Sequence, residues 1–90
     1  MRLLCRDDDI PSLVFTAIFD DGTTQWYFIK VDEQQVHWRQ HPRELAIFPQ
    51  TCTPKYQDIG SEVLASGEIS VTWDQLMARP LETIISEILL

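Results

Sequence analysis

The strongest constraint on the fold of this chain is a predicted β-hairpin over residues 13–31. Two runs rich in β-branched and aromatic residues, 13–19 and 23–31, are separated by Asp20-Asp21-Gly22. An Asp-Gly pair readily adopts the positive φ angles of a type I′ turn, whose twist suits two antiparallel strands. The sequence therefore predicts that an antiparallel sheet begins here.

The turn also sets the expected pairing of the two strands. With Asp21-Gly22 as a two-residue loop, Phe19 would face Thr24 and Ala17 would face Trp26. A three-residue loop with Gly22 in a bulge would shift this pairing instead. Both alternatives remain open from the sequence.

Both faces of this hairpin are substantially apolar, because side chains alternate between faces along a strand. One face is predicted to hold Leu13, Phe15, Ala17, Phe19, Trp26 and Phe28, and the other Val14, Thr16, Ile18, Tyr27, Ile29 and Val31. Antiparallel sheets usually leave one face to solvent. The second face therefore needs a cover: another part of the chain, a second copy in a homodimer, or a partner protein.

The rest of the chain predicts further short elements. We expect residues 1–10 to be extended or to form an edge segment, 36–40 to form a third strand, and 49–60 to form an irregular loop. A short helix is expected from Pro42 through Phe48, and a strand over 68–73. Residues 61–66 fit a helix or a strand.

The last predicted element is an amphipathic helix that begins near Pro80. Apolar residues recur there at helical spacing, at Leu81, Ile84, Ile85, Ile88 and Leu89. A helix this short is marginal alone and must pack on the sheet. The predicted fold is therefore a single α+β domain over 1–90, with an antiparallel sheet of three to five strands and this helix on one face.

The charge balance points away from nucleic acid. The chain has 14 acidic residues against 7 Lys and Arg in 90 residues, a formal net charge of −7. Such a charge opposes the phosphate backbone and favours a basic protein partner, or serves solubility alone. Direct nucleic-acid binding is therefore not expected.

The chain carries two cysteines, Cys5 and Cys52, and no apolar stretch of signal-peptide or membrane-spanning length. These features predict a cytoplasmic protein with reduced thiols and without membrane contact. A disulfide between the two remains geometrically allowed.

No catalytic, cofactor or metal-ligating residue is predicted. His37 and His41 stand four residues apart, but in a strand that spacing separates them by about 13 Å, and no third ligand is near in sequence. Cys52 lacks a neighbouring base or a strand-to-helix elbow that would make it a nucleophile. We therefore expect that the protein is not an enzyme and uses no cofactor.

Size, acidity and aromatic content together predict a binding protein. The candidate partner-binding residues are Trp38, Tyr56, Asp20, Asp21, Asp32 and Glu33. The leading interpretation is a stoichiometric inhibitor, antitoxin, immunity or phage-type anti-defence protein that binds a more basic protein. The alternative is an accessory or regulatory subunit of a larger complex, and a small enzyme comes third.

Overall fold

Strands dominate the structure. The computed structural model describes residues 2–8, 14–42, 47–48, 52–54, 63–78 and 81–88. The elements are β1 (Arg2–Asp7), β2 (Thr16–Asp20), β3 (Thr24–Asp32), β4 (Gln35–Pro42), β5 (Ile47–Phe48), β6 (Thr53–Pro54), β7 (Ala65–Ile69), α1 (Trp73–Ala78) and α2 (Leu81–Ile88).

Five of these strands form one antiparallel sheet in the order β1-β2-β3-β4-β7, and β5 pairs with β6 separately. The edges of the large sheet are β1 and β7. The prediction of an antiparallel sheet of three to five strands is confirmed at this level, and the short helices fit an α+β description loosely.

The first face of the sheet carries the larger core. Its buried side chains are Ala17, Trp26, Phe28, Val36, Trp38, Val71, Trp73, Leu76 and Ile84. Trp26 and Trp38 lie with ring centroids 5.6 Å apart, and such aromatic pairs add to the stabilisation that burial provides. The indole Nε1 of Trp73 donates to the Asp8 carboxylate at 2.9 Å, which links the end of β1 to α1.

The second face carries a smaller core, which the chain itself covers. It comprises Ile18, Tyr27 and Cys52, with Leu4, Cys5 and Ile29 partly buried against them. Cys52 is fully buried and forms a disulfide with Cys5 of the edge strand. The need for a second copy to cover this face is correspondingly reduced, and the homodimer stays a prediction.

The disulfide corrects the expectation of two reduced thiols. Cys5 and Cys52 are 47 residues apart in sequence, and the fold brings their Cα atoms within 5.6 Å. A crosslink over a loop of this length restricts the unfolded chain, an effect of about 3–4 kcal/mol in the chain-entropy model. Disulfides are rare in the reducing cytosol, so the bond does not support the cytoplasmic expectation.

The hairpin forms with a pairing shifted from the expected one. Phe19 pairs with Trp26 and Ala17 with Phe28, two positions along from the prediction. The chain reverses at Gly22 and the following threonine, with Gly22 at a φ of 102°, the place that glycine takes in a type II′ turn. Because the shift is by two residues, the described apolar side chains within 15–19 and 26–29 keep their predicted faces.

One prediction for the middle of the chain needs correction. Ile47–Phe48 is a strand rather than the end of a helix, and it pairs with Thr53–Pro54. Thr53–Pro54 in turn lies inside the predicted irregular loop of 49–60, whose other described residue is Cys52. Tyr56 lies outside the described residues.

The strand predicted over 68–73 instead ends at Ile69, and Trp73 begins α1. A capping box explains the change: the Gln75 amide donates to Thr72 Oγ1 at 3.1 Å, and the Thr72 amide donates to Gln75 Oε1 at 3.2 Å. This exchange satisfies amide groups that a helix start leaves free.

The predicted C-terminal helix is present as α2, and Ile84 is buried within the first core. The side chains of the other four residues of its apolar stripe lie outside the described set, so the docking of the whole stripe stays a prediction. Among the described helices, none has the length and apolar character needed to cross a membrane.

Candidate partner-binding surface

The predicted acidic binding residues fall in two hairpin turns, and the first of these uses its carboxylates internally. We define turn A as residues 20–24, between β2 and β3. The Asp21 carboxylate accepts hydrogen bonds from the amides of Thr23 (2.8 Å) and Thr24 (2.7 Å), from both threonine hydroxyls, and from Trp26 Nε1 (2.8 Å). It is therefore occupied by its own hairpin.

These bonds control the ionisation of Asp21. Burial alone would raise its pKa, but the hydrogen bonds from Trp26, Thr24 and Thr23 outweigh burial and hold the pKa well below its ordinary value. Its neighbour Asp20 is 8% exposed, accepts from the Gly22 amide at 2.7 Å and lies 3.9 Å from the Arg2 guanidinium. Turn A thus offers little acidic surface to a partner.

The second turn presents its acids to solvent. We define turn B as residues 32–35, between β3 and β4. The Asp32 side chain is exposed and accepts one hydrogen bond, from the Gln34 amide at 2.8 Å. The Glu33 side chain is 89% exposed, and its carboxylate lies 3.1 Å from Lys30 Nζ. Both carboxylates keep acceptor positions open to a ligand.

Turn B forms one wall of a shallow, open groove. Its main cavity, of about 530 Å³, is lined by Asp32, Glu33, Gln34, Gln35 and Ser70. An adjoining cavity of about 280 Å³ is lined by Gln34, Ser70, Val71, Thr72 and Gln75. We call the two together the acidic groove, since its charged lining residues are carboxylates.

The sheet and the capping box place the groove walls together. Val36 pairs with Ile69, which brings Ser70 alongside turn B. The β3–β4 register shifts between Lys30 and Asp32, and such an irregularity redirects the strand end. The capping box at Thr72 then holds Gln75 in the lining of the adjoining cavity.

Trp38, the predicted aromatic anchor, is a core residue. It is 8% exposed and packs within the first core. A Cβ atom on Gly67 would lie 3.0 Å from the Trp38 indole, so the glycine allows the ring to lie against β7. A side chain enclosed in this way cannot anchor a partner at the surface, and Trp38 is not part of the candidate surface.

The two histidines lie on the second face of the sheet. His41 is fully buried and its ring lies 6.4 Å from that of Tyr27. His37 accepts from Arg39 Nε at 3.3 Å and lies 4.0 Å from the Glu68 carboxylate. Across the described residues, no three His, Cys, Asp or Glu side chains come together as a metal-binding group.

Several groove residues were not predicted from the sequence. Gln34, Gln35, Ser70 and Gln75 are uncharged and lie in three separate segments, so neither charge nor spacing marks them as one site. One pattern in the sequence could have indicated part of the site. Thr72 followed three residues later by Gln75 is typical of a capping box. It would have placed a helix start, and hence this wall of the groove, beside the end of β7.

Comparisons with protein-family models, with curated proteins and with solved structures found no match to this chain.

Proposed function

We propose that this protein is a non-enzymatic binding module whose acidic groove receives a basic segment of a protein partner. The observation that carries the proposal is the outward placement of Asp32 and Glu33 beside a groove. Exposed carboxylates of this kind steer a positively charged partner and fix its register.

The rest of the groove lining suits a peptide segment. Gln34, Gln35 and Gln75 each carry an amide that can both donate and accept hydrogen bonds. Such groups can pair with the backbone of an extended segment while the carboxylates pair with its Lys or Arg side chains. The groove is shallow, which favours a surface contact over the enclosure of a small molecule.

A stoichiometric inhibitor, antitoxin, immunity or anti-defence protein is the role that fits these features best. The chain is acidic overall, with a formal net charge of −7. A protein of this kind acts by occupying a basic surface on its target, and complementary charge accelerates the encounter. We propose that this action takes place in the cytoplasm. The Cys5–Cys52 disulfide would then have to persist in a reducing compartment.

A role as an accessory subunit is the second candidate, and exposed apolar side chains favour it. Val14 is 54% exposed and Val31 is 52% exposed. The hydrogen bond from the Lys30 amide to the Phe15 carbonyl, at 2.9 Å, extends the hairpin toward this pair. Docking there would be apolar and largely insensitive to salt, unlike binding in the acidic groove.

The test is capture of the partner by two variants with the same change in charge. Asp32→Asn with Glu33→Gln removes both groove carboxylates. The control, Asp74→Asn with Glu82→Gln, makes the same substitutions at exposed positions on the helices. Each tagged protein is incubated with extract of the native host, and captured proteins are identified by mass spectrometry.

We expect the wild type and the control to capture the same basic protein, and the groove variant to lose it. With the purified partner, the groove variant should bind roughly tenfold more weakly or worse. Equal capture by all three proteins would contradict the proposal. A partner retained by both variants but lost on Val14→Ser with Val31→Ser would favour the accessory subunit instead.

A further inference from the structure

Arg39 differs from the other described basic residues in having no acidic partner. Arg2 lies 3.9 Å from Asp20, Arg6 binds Asp8 and Lys30 binds Glu33. Within the described part of the chain, no carboxylate reaches Arg39 at ion-pair distance. A partly buried guanidinium that lacks a carboxylate is notable in a protein with twice as many acidic as basic residues.

A single contact from the same strand leaves most of this guanidinium free. Arg39 Nε donates to His37 Nε2 at 3.3 Å. Burial lowers the pKa of His37, and the charge of Arg39 lowers it further, while Glu68 opposes both. His37 is therefore a neutral acceptor at pH 7. Guanidinium has five N–H donors, and the four on the two terminal nitrogens have no hydrogen-bond partner among the residues that the structure describes.

A residue with a hydroxyl group is the cross-strand neighbour of Arg39 on each side. On the second face, Arg39 pairs with Tyr27 of β3 on one side and with Ser66 of β7 on the other. Burial raises the pKa of Tyr27, with the charge of Arg39 opposing, so its hydroxyl carries a proton at neutral pH. Tyr27, Arg39 and Ser66 thus form a row across three strands. In this row the guanidinium group belongs to the middle residue, and each neighbour carries a hydroxyl that can donate a hydrogen bond.

We propose that this row binds an oxyanion, a phosphate or carboxylate group, with Arg39 as its main ligand. A planar guanidinium matches both groups with paired hydrogen bonds, and His37 acts as a positioning residue that holds the guanidinium. Glu68, 4.0 Å from the far nitrogen of His37, opposes a bound anion and limits its affinity. The site uses none of the residues of the acidic groove.

The experiment is a titration of the isotope-labelled protein followed by NMR. Inorganic phosphate and acetate are added separately, with chloride adjusted to hold ionic strength constant. We expect a saturable shift of the Arg39 Nε–H signal and of the backbone amides of Tyr27 and Ser66. A response to phosphate alone would assign a phosphate ligand, and a response to acetate alone would assign a carboxylate.

Three variants give the proposal its controls. Arg39→Gln should weaken binding roughly tenfold or more, and Arg39→Lys should also weaken it, because lysine keeps the charge but not the fork. Arg6→Gln, at an exposed arginine that already has a partner, should bind as the wild type does. If Arg39→Gln fails to fold, Arg39→Lys alone tests whether anion binding depends on the guanidinium group.

Two results would overturn the inference. One is the absence of a saturable shift with either anion in the wild type. The other is an equal response from Arg2, Arg6 and Arg39, or an unchanged response in the folded Arg39 variants, since either would indicate diffuse attraction of anions to any cationic side chain.

Discussion

The two acidic turns have similar sequences but place their carboxylates in opposite environments. Turn A contains Asp20-Asp21-Gly22, and turn B contains Asp32-Glu33-Gln34. The Asp21 carboxylate accepts five hydrogen bonds within its own hairpin, whereas the Glu33 side chain is 89% exposed. Acidic composition alone therefore does not reveal whether a turn serves the fold or faces a partner.

The difference arises from the donors that each turn supplies. In turn A, two threonines and a tryptophan follow the aspartate within five residues, and their amide, hydroxyl and indole groups all converge on it. In turn B the Asp32 carboxylate meets only the Gln34 amide among the described residues. A carboxylate surrounded by donors is consumed by the fold, and one without them remains available for recognition.

The largest expected effect on stability comes from making the same substitution, aspartate to asparagine, in each turn. Asp21→Asn should lower the free energy of unfolding by about 2–3 kcal/mol, because it weakens charged hydrogen bonds and leaves the buried Trp26 indole N–H poorly paired. Asp32→Asn should change it by less than about 0.5 kcal/mol, since asparagine can still accept from the Gln34 amide. Urea unfolding of both variants measures the difference, and equal losses would remove the contrast.

The pH dependence of the free energy of unfolding gives a second test of the role of Asp21. The hydrogen bonds to Asp21 hold its pKa below the ordinary value of 3.8, so its stabilising contribution is fully present above that pH. This contribution is lost as pH falls from about 3.8 toward the folded-state pKa. The stability gap between wild type and Asp21→Asn should therefore narrow in acid. A gap that stays constant down to pH 2 would show that the charge of Asp21 is not the source.

A smaller effect is expected at the glycine of turn A. Gly22 has a φ of 102°, and a Cβ atom there would meet no heavy atom within 4 Å. Gly22→Val should therefore cost about 1–2 kcal/mol through backbone strain alone, without a steric clash. Gly22→Asn should cost less, because asparagine tolerates positive φ better. Thermal unfolding of the two variants measures this, and equal stability of Gly22→Val and wild type would indicate that the turn can change its conformation.

The smallest expected effect on stability is at turn B, where the effect on binding should be largest. Glu33→Gln should change the free energy of unfolding by less than about 0.5 kcal/mol, because its ion pair with Lys30 is exposed. Its association with a basic partner should slow and depend less on salt. Stopped-flow association at two salt concentrations checks this. A salt dependence equal to that of the wild type would show that Glu33 takes no part in steering.

For the hairpin, the sequence predicted which residues share a face but not how the two strands pair. The alternation of apolar residues assigned Ala17, Trp26 and Phe28 to one face and Ile18 and Tyr27 to the other, as the structure has them. The pairing was wrong by two residues. The reason is a side chain: Asp21 captures the two amides that follow Gly22, a choice that backbone turn preferences alone do not predict.

The candidate sites were harder to predict, because they depend on tertiary neighbours. Trp38 alternates with polar residues whether it faces a partner or a core, and only the packing of Trp26 against it decides between them. Arg39 was one basic residue among several in the sequence, and its lack of an acidic partner among the described residues appears only when the strands are paired. Tyr56 stays a prediction.

The Cys5–Cys52 disulfide encloses strands β2 to β5 in one covalent loop and leaves β6, β7 and both helices outside it. Under a pulling force applied at the two chain ends, the segment between the two cysteines, which are 47 positions apart in sequence, cannot add to the extension while the bond is intact. At about 3.4 Å for each extended residue, the oxidised chain would have a contour length shorter by roughly 160 Å than the reduced one. In the oxidised protein, extension would then come only from the residues outside this loop, which are those before Cys5 and those after Cys52.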